Sequence, residues 1–428
     1  MAENSPDFRF DTQVLHAGAQ PDPTTGSRTM PIHQTTSFVF KDSAHAARLF
    51  NLEEVGFIYS RLTNPTVSAL EARVAALEGG VGATATSSGH AAQILAFFPL
   101  MEPGDHIVAA RKLYGGSINQ MSHAYKRFGW EVTFVDSEDP ENFRKAATPR
   151  TKAFFMECLA NPGGVVCDIG AVARIADDLG LPLVVDNTMA TPALCRPIEH
   201  GATLVVNSST KFLQGHGAAV GGVVVDSGKF DWLAHADKFP SLGKPAPEYH
   251  GTNFAETFGS MAFTFHGHAV GLRDLGPCQS PQNAFLTLQG IETLSLRMER
   301  HCSNALKVAQ YLEGHAKVDW VSYAGLPSSP YHALAQQYLP KGAGAVFTLG
   351  LKGGYEAGVE LVSKFKLFTH LANIGDTRSL VIHPASTTHR QVPKEELGKV
   401  GADPEVIRLS IGIEDVEDII ADLEQALA

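Results

Sequence analysis

The chain has 428 residues, 44% hydrophobic and 18% charged, which supports a large buried core and excludes a disordered protein. That length suggests about two or three domains. Thirty-four basic against 45 acidic residues leave a net charge of −11, which excludes a phosphate-backbone binder and favours a protein handling small molecules, with no nucleic-acid partner. The five cysteines (158, 167, 195, 278 and 302) are odd in number and include no C-x-x-C spacing, so neither a disulfide framework nor a zinc ribbon is expected. Cys158 and Cys195 read as small buried hydrophobes. No apolar run approaches the ~18 residues of a membrane span. Met1–Asp7 lacks the basic start and apolar stretch of a signal peptide, so a cytoplasmic protein without a membrane partner is expected.

Residues 1–63 read as an extended N-terminal arm with turns. A helix should start at Asn64-Pro65-Thr66, with Asn as cap and Pro in the first turn. Val67, Leu70, Val74 and Leu77 continue at helical spacing until Gly79-Gly80 stops the run. Ala83–Thr86 leads through Ser87-Ser88-Gly89 into a helix expected from His90 to about Leu100. Short apolar runs then alternate with helices: His106–Ala109, Glu131–Val135, Ala153–Met156, Pro182–Val185 and Thr203–Val206, with Gly170–Leu179 among the helices. Continuous apolar strands separated by helices predict an α/β fold, a mostly parallel central sheet covered on both faces. Residues 228–290, rich in Gly, Pro, Phe and His, read as a long loop-and-helix region, followed by a helix near 290–313. The final stretch looks α+β, with strands near Ala345–Leu349 and Val406–Ile413. The division expected is a 1–63 arm, a 64–290 large domain and a smaller 291–428 C-terminal domain.

Three features of the large domain converge. Leu183-Val184-Val185 runs straight into Asp186, placing a carboxylate at the carboxyl end of a buried strand, the edge where open α/β sheets bind ligands. Leu204-Val205-Val206 ends in Asn207-Ser208-Ser209-Thr210-Lys211, so hydroxyls and a lysine follow at the same edge. Ser88-Gly89 feeds a helix N-terminus, whose free N–H groups and dipole suit a phosphate. A phosphate seat, a strand-end Asp and a strand-end Lys are what pyridoxal phosphate requires: an amine for its aldehyde, a carboxylate for its ring nitrogen and donors for its phosphate. Taken singly, each part reads as well as ordinary punctuation, a helix cap or a loop. Farther on, Ile407, Leu409, Ile411 and Ile413 alternate along one strand face, leaving Arg408 and Ser410 on the other, where a guanidinium fork can meet a carboxylate.

With Tyr59-Ser60-Arg61, Asn64-Pro65-Thr66 and Ser208-Ser209-Thr210-Lys211, the sequence resembles the Cys/Met-metabolism group of fold-type-I pyridoxal-phosphate enzymes, from Leu15-His16-Ala17-Gly18 through Val406–Glu414. The resemblance implies that Lys211 condenses with the cofactor's aldehyde and that Asp186 partners its pyridinium. It implies that Ser88, Gly89, Ser208 and Thr210 hold the phosphate, that Tyr114 stacks on the ring and that Asn161 lies near its phenolic oxygen. His90 stands beside the ring. Tyr59 and Arg61 would reach the phosphate and the substrate of a neighbouring subunit, which makes the active unit a dimer; the group suggests a homotetramer. Arg408 would grip the substrate α-carboxylate, with Asn373 beside it. Tyr114 is expected to carry a proton near Cγ.

Two segments, Leu371–Asp376 through His383–His389 and Gly276–Cys278 through Gly290–Leu294, are similar to those of the O-acetylhomoserine sulfhydrylases. They imply γ-replacement, converting O-acetyl-L-homoserine and sulfide to L-homocysteine and acetate in methionine biosynthesis, or, with methanethiol in place of sulfide, to methionine. An O-succinylhomoserine sulfhydrylase, a cystathionine γ-synthase and a methionine γ-lyase remain the alternatives. Gly116 departs from the cysteine characteristic of the lyases. A nicotinamide-dependent dehydrogenase rests only on Gly215-x-Gly217-x-x-x-Gly221, which follows the lysine rather than opening a βαβ unit. A non-catalytic relative would not need Lys211, Asp186 and Arg408 together. No histidine and cysteine spacing completes a metal site.

Overall fold

Local chemistry starts and stops the first long helix. In the computed structural model, which describes residues 8–18, 20–388, 390 and 401–428, the helix spans Pro65–Glu78. Asn64 caps it by accepting from Thr66 N at 3.0 Å, and Gly79, at φ 78°, ends it in the left-handed region. The N-terminal segment is less extended than its composition suggests, because Phe10–His16 (α1) and Ser43–Phe50 (α2) are helical. Met1–Asp7, Ala19, His389 and positions 391–400 lie outside the described residues. With Pro65–Glu78 as α3, α1 is fastened to it by Arg73. That buried guanidinium donates to the carbonyls of Val14, Leu15 and Ala17 at 3.0, 3.1 and 2.7 Å.

Seven strands form the large sheet: β1 Gly82–Thr86, β2 His106–Ala110, β3 Glu131–Val135, β4 Thr151–Glu157, β5 Leu183–Asp186, β6 Leu204–Asn207 and β7 Gly222–Asp226. Their order is β1-β7-β6-β5-β4-β2-β3. Pairings among β6, β5, β4, β2 and β3 are parallel, while β7 runs antiparallel to both β1 and β6. Buried side chains fill β1, β2 and β7, as expected of strands covered on both faces, whereas β3, at the edge, alternates with solvent. The glycine run 215–221 therefore leads into an antiparallel strand rather than a helix, and it is not a dinucleotide-binding turn.

Residues 228–290 are mainly short helical turns, including an unusually wide helix at Gly267–Leu275 and a regular one at Pro281–Ile291. The helix expected near 290 starts at Leu294 and runs to Glu313. A second sheet follows: β8 Val318–Ser322, β9 Val346–Leu351, β10 Thr369–His370, β11 Leu380–Ile382 and β12 Val406–Ser410, ordered β8-β9-β12-β11-β10. The last strand stops three residues short of the expected Ile413. No helix among the described residues is long and apolar enough to cross a membrane.

Candidate active site

The carboxyl ends of β4, β5 and β6 open into a cleft of about 250 Å³, closed on one side by the loop at Ala372–Ile374 and by Arg408 of β12. Of the residues singled out in the sequence, Ser88, Gly89, His90, Tyr114, Asn161, Asp186, Ser208, Thr210, Lys211, Asn373 and Arg408 all line it. Tyr59 and Arg61 do not. They line a separate surface groove with Gln34–Thr36 and Cys278–Pro281, where Arg61 lies 5.5 Å over the Tyr59 ring and donates to the Arg273 carbonyl at 3.0 Å.

Lys211 arrives by the turn that follows β6. Its Nζ donates to Asn373 Oδ1 at 2.5 Å, and burial, with the nearby Arg408 charge, brings its ammonium down to about 8. An amine so poised sheds its proton readily near neutral pH, as a nucleophile toward an aldehyde must. Arg408 donates weakly to Asn161 Oδ1 at 3.4 Å and to the Asn373 carbonyl at 3.2 Å. Among the described residues no carboxylate pairs with it, so most of its fork is uncommitted. Burial lowers its pKa to about 10, which leaves it cationic at neutral pH.

At the end of β5, Asp186 accepts from Thr188 N at 2.9 Å and from Gln93 Nε2 at 3.2 Å. Burial pushes its carboxyl up, and no cation among the described residues is within ion-pair distance of it. Thr188 turns back as well, its Oγ1 accepting from Ser208 N at 2.7 Å. Below this layer the buried Glu78 carboxyl receives Asn187 Nδ2 at 3.0 Å and Asn207 Nδ2 at 2.7 Å, tying the ends of β5 and β6 to the last turn of α3.

Ser88 caps the helix Gly89–Phe97 (α4), accepting from Ala91 N at 3.2 Å. Ser208 comes so close that a Cβ on Gly89 would lie 2.7 Å from Ser208 Cβ, so the two loops meet only because residue 89 has no side chain. Thr210 is held in the turn by exchange with Gly221, accepting from its N–H at 3.0 Å and donating to its carbonyl at 3.1 Å. Tyr114 stacks on His90 at 5.9 Å between centroids and is 46% exposed toward the cleft mouth. A Cβ at Gly116 would fall 2.7 Å from Tyr114 Cζ, so a side chain at that position requires the half-exposed Tyr114 ring to shift.

Three polar lining residues were not singled out in the sequence: Gln93, Glu157 and Thr188. Glu157 ends β4 as Asp186 ends β5, and the two are paired in register. The strand-end rule that picked out Asp186 applies equally to it. Gln93 carried no such signal, sitting one turn into a helix.

The family model for Cys/Met metabolism PLP-dependent enzymes matches residues 11–428. The chain belongs to that family. Among its relatives, an O-acetyl-L-homoserine sulfhydrylase of Leptospira meyeri is 50% identical over 98% of this chain and 97% of its own length. O-acetyl-L-homoserine sulfhydrylase 1 of Thermus thermophilus is also 50% identical, over 98% and 100%. A crystal structure from Campylobacter jejuni, assigned as an O-acetylhomoserine (thiol)-lyase and containing N'-pyridoxyl-lysine-5'-monophosphate, superposes with a TM-score of 0.95 at 40% identity, covering 98% of this chain and all of that one. The fold is thus the mixed α/β architecture that the resemblance implied, and the protein is a pyridoxal-phosphate enzyme.

The cleft fits that cofactor on its own chemistry. A buried carboxyl without a cation awaits a protonated ring nitrogen, and a lysine with a lowered pKa stands in the same cleft. The glycine-spaced junction of Ser88, Gly89 and Ser208 leaves room and donors for a phosphate at the start of α4.

Proposed function

We propose that the protein catalyses γ-replacement on O-acetyl-L-homoserine, with sulfide as nucleophile, giving L-homocysteine and acetate. The reading is carried by one arrangement, a buried low-pKa lysine, an uncompensated carboxyl and an uncommitted guanidinium in a single cleft. The names of relatives at 50% identity supply the ester and the reaction. Glycine at position 116, where the lyases carry cysteine, favours replacement over the lyase alternative.

Bound in the cleft, pyridoxal phosphate would act as an electron sink for the substrate's Cα and Cβ carbanions. Lys211 would carry its aldehyde, Asp186 would hold its ring nitrogen protonated, and Ser88, Gly89, Ser208 and Thr210 would hold its phosphate. Tyr114 would cover the ring, with His90 against it, and Asn161 would lie by its phenolic oxygen. Arg408, steadied by Asn161 and Asn373, binds the substrate α-carboxylate bidentately and fixes the Cα–H direction. With its free amine in the same cleft, Lys211 would take the proton from Cα and later return it. Tyr114 serves as proton carrier near Cγ, where the C–O bond to acetate breaks and the C–S bond to hydrosulfide forms.

Tyr59 and Arg61, outside the cleft of their own chain, would reach the phosphate and substrate site of a neighbouring subunit. The exposed Val39, Phe50 and Val55 of the arm support a homo-oligomer, with active dimers combined in a tetramer. In this reading residues 1–63 form the arm, 64–290 the cofactor-binding domain and 291–428 the C-terminal domain; each sheet falls within one of the last two.

Borohydride reduction followed by peptide mass spectrometry should place the cofactor on residue 211. Lys211→Ala should lose both that adduct and turnover of O-acetylhomoserine with sulfide. Full activity in the variant, or a tag elsewhere, refutes the assignment. Steady-state comparison of acetyl and succinyl esters with sulfide, methanethiol and cysteine fixes the substrate pair.

A further inference from the structure

Glu157 is a second carboxyl in the cleft wall, 4% exposed and paired in register with Asp186. Its two oxygens are spent in different directions. Oε1 accepts from Tyr114 N at 2.6 Å, and Oε2 accepts from Asn161 N at 3.0 Å. These are backbone donors of the two loops that leave β2 and β4, and no lysine, arginine or histidine among the described residues forms an ion pair with the carboxyl. Setting a second acid beside Asp186 in a buried cleft is costly: burial together with that neighbour pushes its carboxyl up, against the two backbone N–H groups, which favour the ionised form. A neutral side chain would avoid this cost, but none offers two acceptors on opposed oxygens.

We infer that Glu157 is a positioning residue for the reaction, a two-oxygen clamp that sets the backbone of Tyr114 and Asn161 relative to each other. The inference rests on the functional reading above. Through Tyr114 the clamp fixes the covering ring and its hydroxyl, and through Asn161 it steadies Arg408, whose Nη1 meets Asn161 Oδ1. One side chain thereby joins the proton carrier to the carboxylate fork across the width of the cleft.

Glu157→Gln keeps volume and shape but turns one acceptor into a donor that faces an N–H, so one of the two anchors is lost. The variant should still carry the borohydride tag on residue 211 and should melt close to the parent. Its near-visible circular dichroism, which reads the asymmetric packing of the bound chromophore, should fall by about half or more. We expect kcat to drop on the order of tenfold to a hundredfold and KM for O-acetylhomoserine to rise on the order of fivefold. In the double variant with Tyr114→Phe the losses in kcat should be less than multiplicative, because one acts through the other. Glu157→Asp, whose carboxylate is one methylene too short to span both N–H groups, should show the same losses and covers the case in which the glutamine variant does not fold. Parent-like kinetics and dichroism in a fully tagged variant would overturn the clamp while leaving the function intact, and absence of the tag from the parent protein would overturn both.

Discussion

Asp226 closes β7 at the end opposite the cleft, since β7 pairs Gly222 with Thr86 and Asp226 with Gly82. Its side chain is 1% exposed, with Oδ1 accepting from Gly228 N at 2.8 Å and Oδ2 without a partner. Burial raises its pKa from the ordinary 3.8 to about 7. At about 1.4 kcal/mol per pH unit, that gap makes the ionised form roughly 4 kcal/mol worse in the native state than in the unfolded chain. Below 3.8 both states hold the proton and the native state keeps the whole advantage. As pH rises toward 7 only the unfolded chain releases it, so stability declines, and above 7 the advantage is gone. Asparagine keeps the acceptor for Gly228 and cannot ionise. The difference in urea-unfolding free energy, Asp226→Asn minus parent, should therefore grow in favour of the variant by about 3 kcal/mol between about pH 5 and about pH 8. Other titrating groups are common to both proteins and cancel. Turnover should not change, because the site lies at the other end of the strands. Parallel stability curves across that range would refute the reasoning.

Two further substitutions probe the frame of the site. Gly89→Ala places a methyl 2.7 Å from Ser208 Cβ, prying apart the loops of the phosphate seat; absorbance titration should show cofactor affinity weakened at least on the order of tenfold, with little change in melting of the cofactor-free chain. Arg73→Met strands the carbonyls of Val14, Leu15 and Ala17 and should cost on the order of 3–5 kcal/mol, read as an earlier urea midpoint with early exposure of α1 to proteolysis.

Where one stretch of chain settles its own structure, the sequence was readable almost to the residue. Glu131–Val135 is a strand with the bounds its apolar run suggests, and Asn64-Pro65 and Gly79 cap α3 as their side chains dictate. Asp186 and Arg408 were legible because each stands at a strand position whose geometry decides where the side chain goes, and Lys211 because it follows the end of β6 at the same edge. The antiparallel turn into β7 was not legible: a short valine run reads alike in either direction, and only its neighbours β1 and β6 set its sense. Contacts between distant segments, such as Gln93 with Asp186 and Glu157 with Tyr114 N, had no local signature. Tyr59 and Arg61 were singled out by resemblance, and within one chain they face away from the cleft.

Asn373 presents two oxygens in opposite directions, the side-chain Oδ1 toward Lys211 and the backbone carbonyl toward Arg408. The residue belongs to the C-terminal part of the chain, while Lys211 follows the large sheet. The amine and the guanidinium are thus tied to one residue, the first through its side chain and the second through its backbone. A shift of the smaller sheet by even an ångström would be felt simultaneously at both ends of a bound amino acid, so the gap between those ends is a ruler built into the protein's own backbone.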